Sequence, residues 1–137
     1  LAARLGWNIT GQFAEQGIGF VGVPPEPTFA GELVKQLEQA LGRAPLLIGD
    51  PQRKVARIAW CSGGAQDYFE DALATGADIF VSGEISEQTV HLARETGMSF
   101  ISAGHHATER YGVMALGEHL AEKFGIACEF VDIDNPV

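Results

Sequence analysis

From Val55 onward, short apolar runs alternate with segments of helical periodicity. The predicted helices cover residues 66–74, 87–95 and 109–124, and the predicted strands cover residues 55–60, 79–82, 100–103 and 129–133. A regular alternation of this kind is typical of α/β domains, in which crossover helices join parallel strands. The pattern therefore predicts an α/β fold with a mostly parallel sheet that is flanked by helices.

The first 50 residues predict a smaller βαβ portion. Extended segments are expected at residues 7–9, 18–23 and 46–48, with Pro24 ending the second. The helix between them is predicted to begin at a Thr28 cap, to end at Gly42 and to bury one face, made of Phe29, Leu33, Leu37 and Leu41. Residues 1–50 and 55–137 are expected to form one α/β domain.

The length of 137 residues fits a single domain that can bury a core without disulfides. The segment Leu1 to Gly6 has the pattern of a last helical turn closed by a glycine, and no methionine precedes it. We therefore expect the chain to be a C-terminal fragment of a longer protein.

Charge and composition exclude several classes of protein. Eighteen acidic residues against nine basic ones give a net charge of −9, which disfavours binding to nucleic acid. No apolar run approaches the roughly 20 residues that a membrane span needs. Only Cys61 and Cys128 are present, without a disulfide framework or a secretory signal. We expect a cytoplasmic protein with no nucleic-acid or membrane partner.

A weak internal repeat connects two strand ends. An offset of 21 positions aligns Gly76 with Gly97 and places Gly83-Glu84 over Gly104-His105. The strand at 55–60 also ends in a glycine-containing polar segment, residues 61–64. In open α/β sheets, ligands bind in the crevice outside the carboxyl ends of the strands. The repeat therefore predicts that three strand ends line one rim.

The segment 104–110 carries the strongest candidate ligands. His105 and Glu109 are four positions apart, which brings them together on one helical turn, and His106 adjoins them. Imidazole and carboxylate are good ligands for zinc, iron, manganese or nickel. The alternative is structural, with Glu109 complementing a helix N-terminus and His105 ending a strand. Because a catalytic zinc usually takes about three protein ligands, the ligands of this segment do not complete a metal site by themselves.

Glu84 and the segment Ser62-Gly63, also on the rim, each have both a functional and a structural interpretation. Glu84 could be an additional ligand, a second-shell partner or a general base, or it could merely lie near a helix capped by Ser86. Ser62 and Gly63 could present free backbone N–H groups to a phosphate or carboxylate, or they could simply form a tight turn. Cys61 is expected to be a small buried hydrophobe.

Four segments, 59–64, 82–89, 104–110 and 130–136, together resemble the GTP cyclohydrolase 1 type 2 homologue family. The resemblance runs over essentially the whole chain, and the chain matches the later part of a family member. It implies a fold of two related α/β halves that face a dinuclear metal centre, and toroidal homohexamers as the common assembly.

The resemblance also implies roles for individual residues. The metal ligands carry over onto His105 and Glu109, whereas His106 is not carried over as a ligand and is expected nearer the substrate. The remaining ligands of the family, a His-His pair and an acidic residue, lie in an upstream half that has no counterpart in this chain. Two divalent transition-metal ions per site are expected in the full-length protein.

The leading functional hypothesis is a metal-dependent, hydrolase-like enzyme. Two ions about 3.5–4 Å apart would activate water for attack on a small-molecule substrate, a heterocycle of nucleotide type. The resemblance implies opening of the guanine ring of GTP with loss of formate. The alternative is a metal-carrying or partner-binding ring scaffold that performs no chemistry.

Overall fold

The computed structural model describes residues 1–137 and contains five α-helices, two short 3-10 helices (Glu15–Gly17 and Gln66–Tyr68) and eight strands. The helices are α1 (Ala2–Leu5), α2 (Ala30–Leu41), α3 (Phe69–Ala74), α4 (Glu87–Thr96) and α5 (His105–Phe124). The strands are β1 (Asn8–Phe13), β2 (Gly19–Val23), β3 (Thr28–Phe29), β4 (Leu46–Ile48), β5 (Lys54–Val55), β6 (Ile58–Trp60), β7 (Ile79–Ser82) and β8 (Ser99–Ser102).

The main sheet has six strands in the order β1-β2-β6-β7-β8-β4. Its centre is parallel, since β7 pairs in parallel with both β6 and β8. The other three pairs, β1 with β2, β2 with β6 and β4 with β8, are antiparallel. The α/β class is confirmed, but the expectation of a mostly parallel sheet is wrong. The alternation of strands and helices begins only at β6, and the strands that precede it add antiparallel edges.

Helix α2 follows its prediction along its buried face and at its C-terminal end. Leu33, Leu37 and Leu41 are fully buried, and Gly42 ends α2 in the left-handed conformation with φ of 70°. The start of the helix differs from the prediction. Thr28 lies in the short strand β3, which pairs with β5, and Phe29 precedes the helix with 41% of its surface exposed.

The segment predicted as one strand at 55–60 is divided into β5 and β6.

Two apolar clusters pack around the sheet. One contains the buried face of α2 together with Trp7 and Trp60. The other contains Phe69 of α3, Ala93 of α4 and the fully buried rings of Phe80 and Phe100. The ring centroids of Phe80 and Phe100 are 5.4 Å apart in an edge-to-face arrangement. This packing fixes the parallel strands whose carboxyl ends form the rim.

The last helix departs from its prediction. Helix α5 begins at His105 instead of 109. Apolar residues recur along it at helical spacing, a pattern that favours burial, yet 59% of Val113, 56% of Leu116 and 60% of Phe124 is exposed. Residues 129–133 form no strand. The sheet edge beside β8, where a further strand would add, is already occupied by β4.

None of the helices combines the length and the apolar character needed to cross a bilayer.

Candidate functional site

The backbone brings the ends of the three parallel strands together. Beyond the strands, the N–H of Gly83 donates to the carbonyl of Gly63 at 2.9 Å, and the N–H of Gly104 donates to the carbonyl of Gly83 at 2.9 Å. Three glycines, one after each strand, are thus connected side by side. The side chains that follow them, including Glu84 and His105, are placed on the common rim that the repeat predicts.

His105 lies between two carboxylates on this rim. Its Nδ1 is 2.6 Å from Oε1 of Glu84, and its Nε2 is 3.1 Å from Oε2 of Glu109. His105 and Glu109 come from successive turns of α5, whereas Glu84 follows β7. In the imidazolium form each ring N–H donates to one carboxylate, Nδ1–H to Glu84 and Nε2–H to Glu109. Loss of the Nε2 proton would leave a nitrogen lone pair beside the Glu109 carboxylate, while Nδ1–H stays on Glu84.

The same contacts set the proton affinity of this imidazole. The hydrogen bond that the His105 ring donates to Glu84 raises the pKa of His105 above its usual 6.5, and the charge of Glu109 adds to the effect, while partial burial opposes it. The carboxylates therefore favour the imidazolium when no metal ion competes with the proton.

Gly63 and Thr108 fix the loop after β6 against α5. A Cβ on Gly63 would overlap the carboxylate of Glu109 and would lie 3.2 Å from Nε2 of His105. The Gly63 N–H donates to Oγ1 of the buried Thr108 at 3.0 Å, and Thr108 donates in turn to the carbonyl of Gly104 at 2.9 Å. The sequence prediction missed Thr108, although its position three residues after His105 places it on the adjacent turn.

This arrangement changes the interpretation of the segment Ser62-Gly63. The Gly63 N–H already has Thr108 as its acceptor, and the N–H of Ala65 donates to the carbonyl of Gly63 and to Oγ of Ser82. The N–H groups of Gly63 and Ala65 are therefore already hydrogen-bonded within the protein. Gly63 instead gives the carboxylate of Glu109 room to approach, and Ser62 is exposed beside it.

The second histidine of the motif has a different partner. Nε2 of His106 lies 3.1 Å from Oδ1 of Asp132, and Oδ2 of Asp132 accepts a hydrogen bond from Nη1 of Arg110 at 2.8 Å. The sequence prediction missed Asp132 because it assigned residues 129–133 to a strand. His106 therefore does not contact the pair His105 and Glu109, and its side chain pairs with the C-terminal segment instead.

A cavity of about 590 Å³ opens beside these groups. On one side it is lined by the first turns of α5, with His105, His106, Glu109 and Arg110. On the other side lie apolar residues of the C-terminal segment, among them Phe130 and Val131. Its volume is within the usual range of small-molecule sites.

Cys61 lies next to the rim but is poorly suited to be a nucleophile. Burial raises the pKa of its thiol, and the nearby charge of Glu109 raises it further. Its Sγ lies 3.6 Å from the carbonyl of Ile18, which it can reach as a weak donor. The expectation that Cys61 is a buried hydrophobe is confirmed, with 8% of its surface exposed.

The residues on the rim fit part of a metal site. Nε2 of His105 and an oxygen of Glu109 are 3.1 Å apart, a separation at which both could bind one ion. Glu84 contacts the other ring nitrogen, as a carboxylate commonly does for a metal-bound histidine. The chain contains no group of three or more histidine, cysteine or acidic side chains with metal-binding geometry. The pair of donor side chains that the chain brings together on this rim is His105 and Glu109.

Comparisons with known proteins cover nearly the whole chain. The family model described as Duf34/NIF3 (NGG1p interacting factor 3) matches residues 1–136. The curated protein of Pseudomonas aeruginosa named GTP cyclohydrolase 1 type 2 homolog is 48% identical over 139 residues, which cover 99% of this chain. Its counterpart of the same name in Neisseria meningitidis serogroup B is 49% identical over 136 residues, again 99% of this chain.

A solved structure gives the same result. The protein ybgI, described as of unknown function, superposes with a TM-score of 0.93 at 44% identity, covering 99% of this chain and 55% of that one. The chain likewise spans 55% of the length of the two curated relatives. The resemblance to proteins named GTP cyclohydrolase 1 type 2 homologue is confirmed, and the chain belongs to the Duf34/NIF3 family.

Proposed function

We propose that this chain supplies one side of a metal centre in a metal-dependent, hydrolase-like protein that acts on a heterocycle of nucleotide type. The observation that carries the proposal is the position of His105, which lies between the carboxylates of Glu84 and Glu109 at the mouth of a cavity. An imidazole with a carboxylate on each ring nitrogen is an arrangement that suits metal ligation.

Each residue on the rim has a distinct role in this proposal. His105 Nε2 and the carboxylate of Glu109 would hold a divalent transition-metal ion, such as zinc, iron, manganese or nickel. Glu84 would orient the ring by accepting the proton of Nδ1 at 2.6 Å. Gly63 would keep space for Glu109, whose second oxygen faces that glycine. His106 would face the substrate.

A pair of such ions, when bound, would lower the pKa of a water molecule and provide a nucleophile at neutral pH. The chain's own contribution is to position the ligands and to shape the cavity. Its curated relatives are named for GTP cyclohydrolase 1 type 2, and we extend to this chain the corresponding reaction, which opens the guanine ring of GTP with loss of formate. A second ion and a homohexameric ring are part of the same proposal.

The decisive test uses His105→Ala in the protein at its full natural length. Loss of a direct ligand should reduce bound metal and should lower formate release from GTP by at least about a hundredfold, since even second-shell changes cost 10–100-fold. The matched control is His119→Ala, because His119 lies exposed on the same helix. Metal content is measured by elemental analysis. Unchanged formate release in His105→Ala would refute the catalytic assignment.

A non-catalytic ring scaffold is the second candidate, and the exposed apolar stripe of α5 favours it. Val113, Leu116 and Phe124 are each more than half exposed, which is unusual for a face with no partner. Such a protein would carry metal and present a surface to other subunits or partners. Stoichiometric metal without turnover of any nucleoside triphosphate would support the scaffold against the enzyme.

A further inference from the structure

The segment after α5, residues 126–137, contacts the first turns of that helix although it forms no strand. Its main polar contact is Asp132. One carboxylate oxygen lies 3.1 Å from Nε2 of His106, and the other accepts from Nη1 of Arg110 at 2.8 Å. His106 and Arg110 are four residues apart and therefore project from the same side of α5. A single carboxylate thus bridges two successive turns.

Arg110 is also held by the body of the protein. Its Nη2 donates to the carbonyl of Leu41, at the end of α2, at 2.7 Å. Its guanidinium carbon lies 5.5 Å from the centre of the Tyr111 ring. The side chain of Arg110 is 22% exposed, compared with 48% for Asp132. A planar guanidinium held on both sides has little freedom, so it fixes the direction from which Asp132 can be bound.

The Asp132 contacts place the C-terminal segment opposite the candidate metal ligands. Phe130 and Val131, which precede Asp132, face the cavity that His105 and Glu109 line from the other side. A second contact lies further along, where the N–H of His106 donates to the carbonyl of Val137 at 3.2 Å. The cavity has two walls because the segment is held against α5.

We propose that Asp132 is a positioning residue of this site: through Arg110 it holds the C-terminal segment as the outer wall of the cavity, and it directly fixes the ring of His106 at the rim. The statement that the cavity receives the substrate rests on the proposed function. The placement of His106 by Asp132 does not depend on it.

The experiment uses Asp132→Ala in the protein at its full natural length, with Asp134→Ala as the matched control. Asp134 lies two residues later in the same segment, is exposed and pairs with neither His106 nor Arg110. The first measurement is the rate at which diethylpyrocarbonate modifies His106, mapped by mass spectrometry with the exposed His119 as the internal reference. Loss of a charge-assisted hydrogen bond should make modification about tenfold faster.

The second measurement separates KM from kcat for formate release from GTP, alongside metal content. In Asp132→Ala we expect KM to rise about tenfold, because the wall that contacts the substrate loosens, while kcat and bound metal stay within about twofold to threefold. Asp132→Asn keeps the shape of the side chain and one hydrogen-bond acceptor, and it should give an intermediate KM.

The outcomes distinguish this inference from the proposed function. If the unsubstituted protein releases no formate from GTP, the proposed reaction fails, and faster modification of His106 in Asp132→Ala still supports its positioning. If His106 is modified at the same rate in Asp132→Ala and Asp134→Ala, the positioning role is overturned. A fall in kcat with unchanged KM would also overturn it, since that result places Asp132 in the chemical step.

Discussion

The body of the domain and its last helix have similar apolar patterns but different packing. In the body, Phe80 and Phe100 are fully buried between the sheet and its helices. In α5 the apolar residues at helical spacing, such as Leu116, are more than half exposed, and the helix buries only Ala107 and Thr108, which lie in its first turns. An apolar stripe therefore indicates that a helix face is suited to burial. The stripe does not show that other residues of the same chain pack against that face.

The candidate site lies at the junction of these two regions. The body contributes Glu84 and Gly63, which follow β7 and β6, whereas α5 contributes His105 and Glu109. The buried Thr108 connects the two through its bonds to Gly63 and Gly104. The candidate ligands therefore occupy the one part of α5 that is firmly packed, which suits a site that must hold side chains in fixed positions.

The largest expected effect is on the free energy of unfolding. It appears when an aromatic ring in the body and an apolar side chain of α5 are each replaced by alanine. In the 137-residue chain, Phe100→Ala should lower the free energy of unfolding by about 3–5 kcal/mol, because it leaves a cavity in a dense core. Leu116→Ala should change it by less than about 1 kcal/mol, since that side chain is 56% exposed and has little contact to lose. Urea denaturation measures both. Equal losses would show that α5 is packed in solution as tightly as the body.

The contrast also explains how much of the fold could be predicted from the sequence. Helix ends could be predicted because they depend on residues that are close together in the sequence. Gly42 ends α2, and Ser86 caps α4 by accepting a hydrogen bond from the N–H of Thr89 at 3.2 Å. The antiparallel edges depend on which strands meet in space. The pairing of β4 with β8 joins Leu46 to Ser102, residues that are far apart in the sequence.

The site was predictable where it follows the internal repeat. The alignment of Glu84 with His105 anticipates their contact at 2.6 Å. Thr108 and Asp132 were not predictable in the same way. The role of Thr108 depends on Gly63, 45 positions earlier, and Asp132 reaches His106 from a segment whose alternating apolar pattern favours a strand that does not form.

A second prediction tests the junction through Gly63→Ala. The added methyl would overlap the carboxylate of Glu109, and φ of 70° at this position costs a non-glycine residue roughly 1–2 kcal/mol. We expect metal affinity in the full-length protein to fall about 10–100-fold, as displaced neighbours of metal ligands generally cause. Isothermal titration with zinc measures the affinity.

The control for this prediction is Gly112→Ala. Gly112 lies within α5, and a Cβ there would contact nothing within 4 Å. This variant should bind zinc as the unsubstituted protein does, and the added methyl should slightly favour the helix. Unchanged zinc affinity in Gly63→Ala would mean that Glu109 does not need the space above that glycine, and that the body does not constrain the ligands of α5.

The smallest effect concerns pH and the contact between Glu84 of the body and His105 of α5. Because the hydrogen bond donated to Glu84 raises the pKa of His105 above 6.5, the imidazolium stabilises the metal-free fold fully below pH 6.5, and this stability is lost as pH rises through the raised pKa. Zinc competes with the same proton, so its affinity should increase by up to about tenfold per pH unit below the raised pKa and level off above it. In Glu84→Gln the zinc affinity should level off at a lower pH, because the main cause of the raised His105 pKa is gone. The zinc affinity on the plateau should fall modestly, because the Glu84 carboxylate no longer orients the ring.

Chelator competition between about pH 5.5 and 8.5 measures both curves of zinc affinity against pH. Curves that level off at the same pH in the two proteins would show that Glu84 does not set the proton affinity of His105, and that the contact across the junction is absent in solution.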